Sequence, residues 1–243
     1  MKAMIFAAGL GTRLRPITLS KPKALVEVNG ITLLERLINK LKAHKITDII
    51  INIHYLADQI ISFLKANNDF GIRITLSDER DRLLDTGGGL KKAGWFFNKD
   101  EPFILYNVDI LSDIDLTAMR RFHDSSRPLV TLAIDKASHA RRFLFNDDNL
   151  LCGWENTDTK ENIISRPHKS PLTARSFCGV HIISPAILDL ITETDVFSIV
   201  KLYLRLAANH KLMGYQAEHS FCFDVGDEES LNSVNNFFLK REA

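Results

Sequence analysis

Cysteine is scarce in this 243-residue chain: Cys152, Cys178 and Cys222 are three in number and widely scattered. That excludes a disulfide framework, and without a Cys-x-x-Cys spacing no zinc site is indicated. The three read as buried apolar thiols. Long hydrophobic runs are also missing. None approaches the ~20 apolar residues that a membrane span needs, and the apolar start Ala3–Ala8 runs into Gly9 and Arg13 too soon for a signal peptide. A cytoplasmic protein with no membrane partner is expected. Charge of one sign is lacking too, since Lys+Arg 31 stand against Asp+Glu 30 for a formal +1. A nucleic-acid binder carries a basic excess, so no nucleic-acid partner is expected. Linkers, internal repeats and low-complexity segments are absent as well. With 45% hydrophobic and 25% charged residues, the chain reads as one globular domain over residues 1–243.

What is present is an alternation of periods. Ala3–Phe6 is a continuous apolar run of the kind found in a strand buried on both faces. Thr32–His44 places Leu33, Leu34, Leu37, Ile38 and Leu41 on one helical face. Asp48–Ile53 is β-branched, and Leu56, Ile60, Ile61 and Leu64 follow at helical spacing. Ile72–Leu76, Phe103–Tyr106 and Leu129–Ile134 read as strands, with helices over Thr86–Ala93 and Leu116–His123. This predicts an α/β protein with a Rossmann-like, mostly parallel sheet and helices on both faces. Between about Asp135 and Phe177 short strand-like pieces, Phe143–Phe145 and Leu150–Trp154, are separated by polar turns. An antiparallel insertion is expected there. Val180–Ile183 then returns to strand, with helices over Pro185–Ile191 and Phe197–Ala208, a strand over Phe221–Val225 and a closing helix over Glu228–Phe238.

The chemistry concentrates after the first strand, in Gly9-Leu10-Gly11-Thr12-Arg13-Leu14-Arg15-Pro16. Two glycines allow a ligand to approach the backbone, and successive N–H groups form an anion-binding concavity. The dinucleotide pattern would need a glycine where Leu14 stands, and the Walker pattern has no counterpart. Arg13 and Arg15 lie where a polyphosphate would lie, and guanidinium suits phosphate oxygens. Lys23, in Lys21-Pro22-Lys23-Ala24-Leu25, is a further phosphate-binding candidate aimed by Pro22, whereas Lys21 reads as a solvated charge.

Ala7-Ala8-Gly9-Leu10-Gly11-Thr12-Arg13-Leu14 and Lys21-Pro22-Lys23-Ala24-Leu25 resemble the signature of the sugar-1-phosphate nucleotidyltransferases. Asn52-Ile53-His54-Tyr55-Leu56, Asp85-Thr86-Gly87-Gly88-Gly89, Asp109, Phe177-Cys178-Gly179-Val180 and Phe223-Asp224-Val225-Gly226 fall in that family's order. The resemblance implies coupling of a nucleoside triphosphate to a sugar 1-phosphate with release of pyrophosphate. Its Thr-Gly-Gly-Gly and short length point to UTP and an amino sugar 1-phosphate such as N-acetylmuramic acid 1-phosphate. Guanylyl, thymidylyl or cytidylyl transfer to another hexose or heptose phosphate is the alternative, and a non-catalytic nucleotide-sugar sensor is the rival from another class. Nucleotide contacts are implied at Ala7, Ala8, Gly9, Gly11, Thr12, Arg13, Gly87 and Gly88, and sugar contacts at Asn107 and Gly179.

Phosphate meeting phosphate requires charge neutralisation more than proton transfer. Asp109 and Asp224 each follow a strand and are expected at one sheet edge, where two carboxylates would repel without a cation between them. Mg²⁺ is the expected metal, with Arg13, Lys23 and Asp109 as catalytic residues. Val108 stands where the family usually has glycine before its first metal-binding aspartate. Arg166, in Ile164-Ser165-Arg166-Pro167, is set where many relatives carry the lysine of Glu-Lys-Pro, and is a candidate sugar contact. His54, His123, His181 and His210 lack metal-ligand spacing and read as structural, as do Trp95 and Trp154 as packing residues; Asp227 reads as a helix cap. A monofunctional enzyme, monomeric or homodimeric, is expected.

Overall fold

The computed structural model describes residues 1–136, 139–216 and 221–242. In chain order its elements are β1 (Ala3–Phe6), β2 (Glu27–Val28), β3 (Ile31–Thr32), α1 (Leu33–Ala43), β4 (Asp48–Ile53), α2 (Ala57–Ala66), β5 (Arg73–Asp78) and α3 (Asp85–Ala93). Next come β6 (Phe103–Asn107), β7 (Ile110–Ser112), α4 (Leu116–Ser126), β8 (Val130–Lys136), β9 (Arg141–Phe145), β10 (Leu151–Asn156) and β11 (Glu161–Ile164). The chain closes with β12 (Thr173–Ile183), α5 (Ile199–Ala207), β13 (Leu212–Gln216), β14 (Cys222–Asp224) and α6 (Glu228–Glu242). The chain divides into two compact units: Met1–Leu83, Tyr106–Asp113 and Phe221–Ala243 form the first, and Leu84–Leu105 with Ile114–Ser220 form the second.

In the first unit β1, β4 and β5 are parallel, with Ala3 opposite Ile49 and Asp48 opposite Arg73. β1 is buried at every position, and so is β4 from Ile49 to Ile53, as their apolar runs require. The predicted face of α1 is the buried one, Leu33, Leu34, Leu37, Ile38 and Leu41, and Thr32 caps the helix by accepting from the Glu35 N–H at 3.1 Å. A separate ribbon pairs β7 with β14, antiparallel.

In the second unit β8 runs parallel to β13 and antiparallel to β12, and β12, β9, β10 and β11 continue in antiparallel steps. The protein is therefore α/β with a mostly parallel central sheet, and its antiparallel pairing reaches beyond residues 135–177 to β8 and all of β12. Ala137 and Ser138, within the stretch expected as an insertion, lie outside the described residues. β12 begins at Thr173 and not at Val180, and its ladder with β8 shifts register between Phe177 and His181, where Gly179 takes φ 60°. The expected helix at Pro185–Ile191 is a 3₁₀ segment, Pro185–Leu190. Cys152 and Cys178 are buried, Cys222 is half-buried, and all three are free thiols. Trp95 is a correction: it is 71% exposed and not a packing residue.

Candidate active site

The candidate site is assembled within the first unit. β1 ends at Phe6, and the next N–H, that of Ala7, donates to Asn52 Oδ1 at 2.8 Å. From there the backbone turns away. Among the described residues, the N–H groups of Ala8, Gly9, Leu10, Gly11 and Thr12 donate to no other protein group. A Cβ on Gly9 would meet nothing within 4 Å, so this face of the turn is open to a ligand. Gly11 is a different case. It holds φ 63°, and a Cβ there would lie 3.0 Å from Thr18 Cγ2 and 3.2 Å from Lys23 Cβ. Thr18 Oγ1 also donates to the Gly11 carbonyl at 2.7 Å. Glycine is thus required for the turn to fold back against Lys23.

Pro22 is extended and launches a 3₁₀ turn over Lys23–Leu25, in which Lys23 is only 9% exposed. Its ammonium forms an ion pair with Asp109 Oδ2 and stands 4.0 Å from Asp224 Oδ1. Arg13 Nη2 lies 3.8 Å from Asp224 Oδ2. A Cβ on Gly226 would sit 2.8 Å from that same Nη2, so Gly226 leaves the guanidinium its place. The side chains of Arg13 and Asp224 remain 64% and 36% exposed, within reach of a ligand.

Two carboxylates come together because two short strands do. Asp224 pairs with Ile110 across the β7–β14 ribbon, and the Val225 N–H donates to the Asp109 carbonyl at 2.9 Å. Aromatic packing fixes the ribbon from behind: Phe221 and Phe223 lie with ring centres 5.0 and 4.9 Å from Phe237 of α6. Arg36 of α1 lies over the Phe238 ring at 4.9 Å. Asp227 caps α6, accepting from the Ser230 N–H at 2.9 Å. The backbone and hydroxyl hydrogen bonds from Ser230 hold its carboxyl below the usual range, with smaller help from the Arg13 and Lys23 charges.

Other sequence candidates fall elsewhere. Asn107 ends β6, half-buried, and Lys21 pairs with Glu27 at the surface at 2.9 Å. Arg15 is exposed. Gly87, Gly88, Gly179 and Arg166 belong to the second unit. The Gly87 and Gly88 N–H groups both donate to the Phe197 carbonyl, at 2.9 and 3.2 Å. A Cβ on Gly87 would come within 2.3 Å of the Phe197 ring. Packing against Phe197 therefore accounts for Gly87. Gly179 occupies the bulge of β12, and Arg166 Nη2 donates to the His210 carbonyl at 2.6 Å. His123 and His181 are buried on Thr131 and Tyr203, in keeping with structural roles. The sequence reading missed Glu79, which is wholly buried beside Asn52; its flanking charged residues disguise it as surface.

No group of three or more His, Cys, Asp or Glu side chains with metal-binding geometry occurs among the described residues. The pair Asp109 and Asp224 still fits a hard cation. Both are oxygen donors, both retain solvent access, and Mg²⁺ is commonly held by one or two carboxylates with substrate phosphates and water completing its shell.

Residues 2–241 match the nucleotidyl transferase family. The chain belongs to that family. It is 31% identical to the N-acetylmuramate alpha-1-phosphate uridylyltransferase of Caulobacter vibrioides, over 94% of this chain and 93% of that one. To the mannose-1-phosphate guanyltransferase of Yarrowia lipolytica it is 27% identical over 98% of its own length, and it spans 64% of that protein. The solved structure of a putative glucose-1-phosphate thymidylyltransferase from Bacillus anthracis shares the fold, with TM-score 0.79, 20% identity and coverage of 98% and 94% of the two chains. The enzyme class is that of the sugar-1-phosphate nucleotidyltransferases. No helix among the described residues is long and apolar enough to cross a membrane.

Proposed function

We propose that the chain transfers a uridylyl group from UTP to an amino sugar 1-phosphate, of which N-acetylmuramic acid 1-phosphate is the first candidate, releasing pyrophosphate with Mg²⁺ as cofactor. The observation that carries the reaction is the meeting of Lys23, Asp109, Asp224 and Arg13 beside a turn whose N–H groups are uncommitted. The choice of substrate rests on the likeness to the Caulobacter uridylyltransferase over nearly the full length of both chains. Guanylyl transfer to a hexose 1-phosphate is the second reading, favoured by the likeness to the Yarrowia guanyltransferase.

In the proposed reaction an oxygen of the sugar phosphate attacks the α-phosphorus of the triphosphate. The new P–O bond forms as the bond to the β-phosphate breaks, and pyrophosphate leaves. The turn Ala8–Thr12 and Arg13 hold the β- and γ-phosphates. Lys23 bears on the reacting α-phosphate or the incoming phosphate, and its burial keeps that charge aimed rather than solvated. Asp109 and Asp224 would hold Mg²⁺, which when bound neutralises phosphate charge. A single-domain organisation, Asn107, Gly179 and Arg166 as sugar contacts, and a monomer or homodimer complete the proposal.

A matrix of four NTPs against a panel of sugar 1-phosphates, read as phosphate after added pyrophosphatase, tests it. UTP with an amino sugar 1-phosphate should give the highest kcat/KM. A GTP preference would establish the second reading. No turnover on any pair would point to a nucleotide-sugar sensor.

A further inference from the structure

We propose that Asn52 and Glu79 are positioning residues that fix Ala7 and thereby aim the N–H groups of Ala8–Thr12 at the triphosphate. This rests on the phosphate-binding role proposed for that turn. The three residues come from the carboxyl ends of neighbouring parallel strands, β1, β4 and β5. The Glu79 N–H donates to the Ile53 carbonyl at 2.8 Å, carrying the β4–β5 ladder one step beyond Asp78. The Glu79 carbonyl in turn accepts from His54 Nδ1 at 2.7 Å and from the Arg82 N–H at 3.0 Å, so its backbone is pinned.

The side chains then form a directed chain. Asn52 Nδ2 donates to Glu79 Oε1 at 2.8 Å, and Asn52 Oδ1 accepts from the Ala7 N–H at 2.8 Å. A backbone N–H only donates, so the amide turns its oxygen toward Ala7, and Glu79 Oε1 holds the NH₂ that this orientation points inward. A flipped amide would set donor against donor at Ala7. Both side chains are removed from water, Asn52 at 3% exposure and Glu79 at 0%, where an unmade hydrogen bond costs most. Neither side chain belongs to the turn. Because the Ala7 N–H is spent on Asn52, the donors left for a ligand begin at Ala8.

The test exchanges acid and amide. Asn52→Asp places two carboxylates face to face and should raise KM for the accepted NTP about tenfold or more, while KM for the sugar phosphate stays within about twofold. Adding Glu79→Gln restores one donor and one acceptor in each link, and should return the NTP KM to within about threefold of the wild type. An unchanged NTP KM in a folded Asn52→Asp variant would overturn the proposal. So would a folded double variant that shows no recovery, or equal losses in both KM values that follow Tm alone. If Asn52→Asp does not fold, recovery or its lack in the double variant decides. Arg13→Ala separates the two readings: an unchanged NTP KM there would remove the phosphate role of the turn, whatever Asn52 does.

Discussion

In the first unit opposite charges are brought together around a buried Lys23, and Asp109, Asp224 and Arg13 are left in reach of solvent. Two histidines of the second unit are instead buried and paired with hydroxyls. His181 Nδ1 meets Tyr203 Oη at 2.7 Å, and His123 Nδ1 meets Thr131 Oγ1 at 2.9 Å. Glycines differ in the same sense. Gly9 opens onto space, whereas Gly87 and Gly214 are needed because side chains press on them: a Cβ on Gly214 would lie 2.5 Å from Ile134 Cδ1. Charge held at a solvated edge is available to a substrate, and polar groups sealed in neutral pairs serve packing.

The comparison breaks most visibly at Asp109. Asp109→Ala should lower kcat by about a thousandfold, roughly 4 kcal/mol in the barrier, measured on the folded protein. A variant at full rate would remove the carboxylate from the chemistry. The next effect belongs to the second unit and to pH. Burial holds the His123 and His181 imidazoles down at about 4 and about 3. Unfolded, each takes up a proton near its ordinary 6.5, which the folded protein refuses until those lower values. Stability should therefore be whole above about pH 6.5 and fall as pH drops toward 4, by on the order of 3 kcal/mol per histidine. Urea unfolding across that range measures it, and His181→Gln should flatten the slope. Smaller again, Gly87→Ala should cost about 2 kcal/mol of stability as Phe197 is displaced, read by the same unfolding curves. If it altered NTP KM without altering stability, Gly87 would be a ligand contact and the contrast between the two kinds of glycine would fail.

How much of this was legible in the sequence follows the same division. The α1 face and the buried strands β1 and β4 could be read because period and burial coincide in them. The start of β12 at Thr173 could not, since the bulge around Gly179 interrupts the alternation on which a strand is recognised. β13 was missed for a related reason: Leu212–Gln216 is short and holds a central glycine. At the site, the glycine turn and Lys23 were visible from their own residues, and Asp109 and Asp224 were expected together at one sheet edge because each follows a strand. Their approach depends on a ribbon of two three-residue strands, too short to leave a periodic signal. Asn52 was visible only as part of a motif, and its bond to Glu79 exists only once β4 and β5 pair.

The proposed reaction requires Asp109 and Asp224 to act together on one divalent cation at the glycine turn. The most direct measurement is pyrophosphate release against Mg²⁺ concentration for the wild type, Asp109→Asn and Asp224→Asn, starting from chelator-treated enzyme. Turnover should vanish without Mg²⁺, and each variant should need about tenfold more metal for half-maximal rate, with a lower ceiling for Asp109→Asn. Turnover that persists in chelator, or metal curves that coincide for all three proteins, would contradict the account.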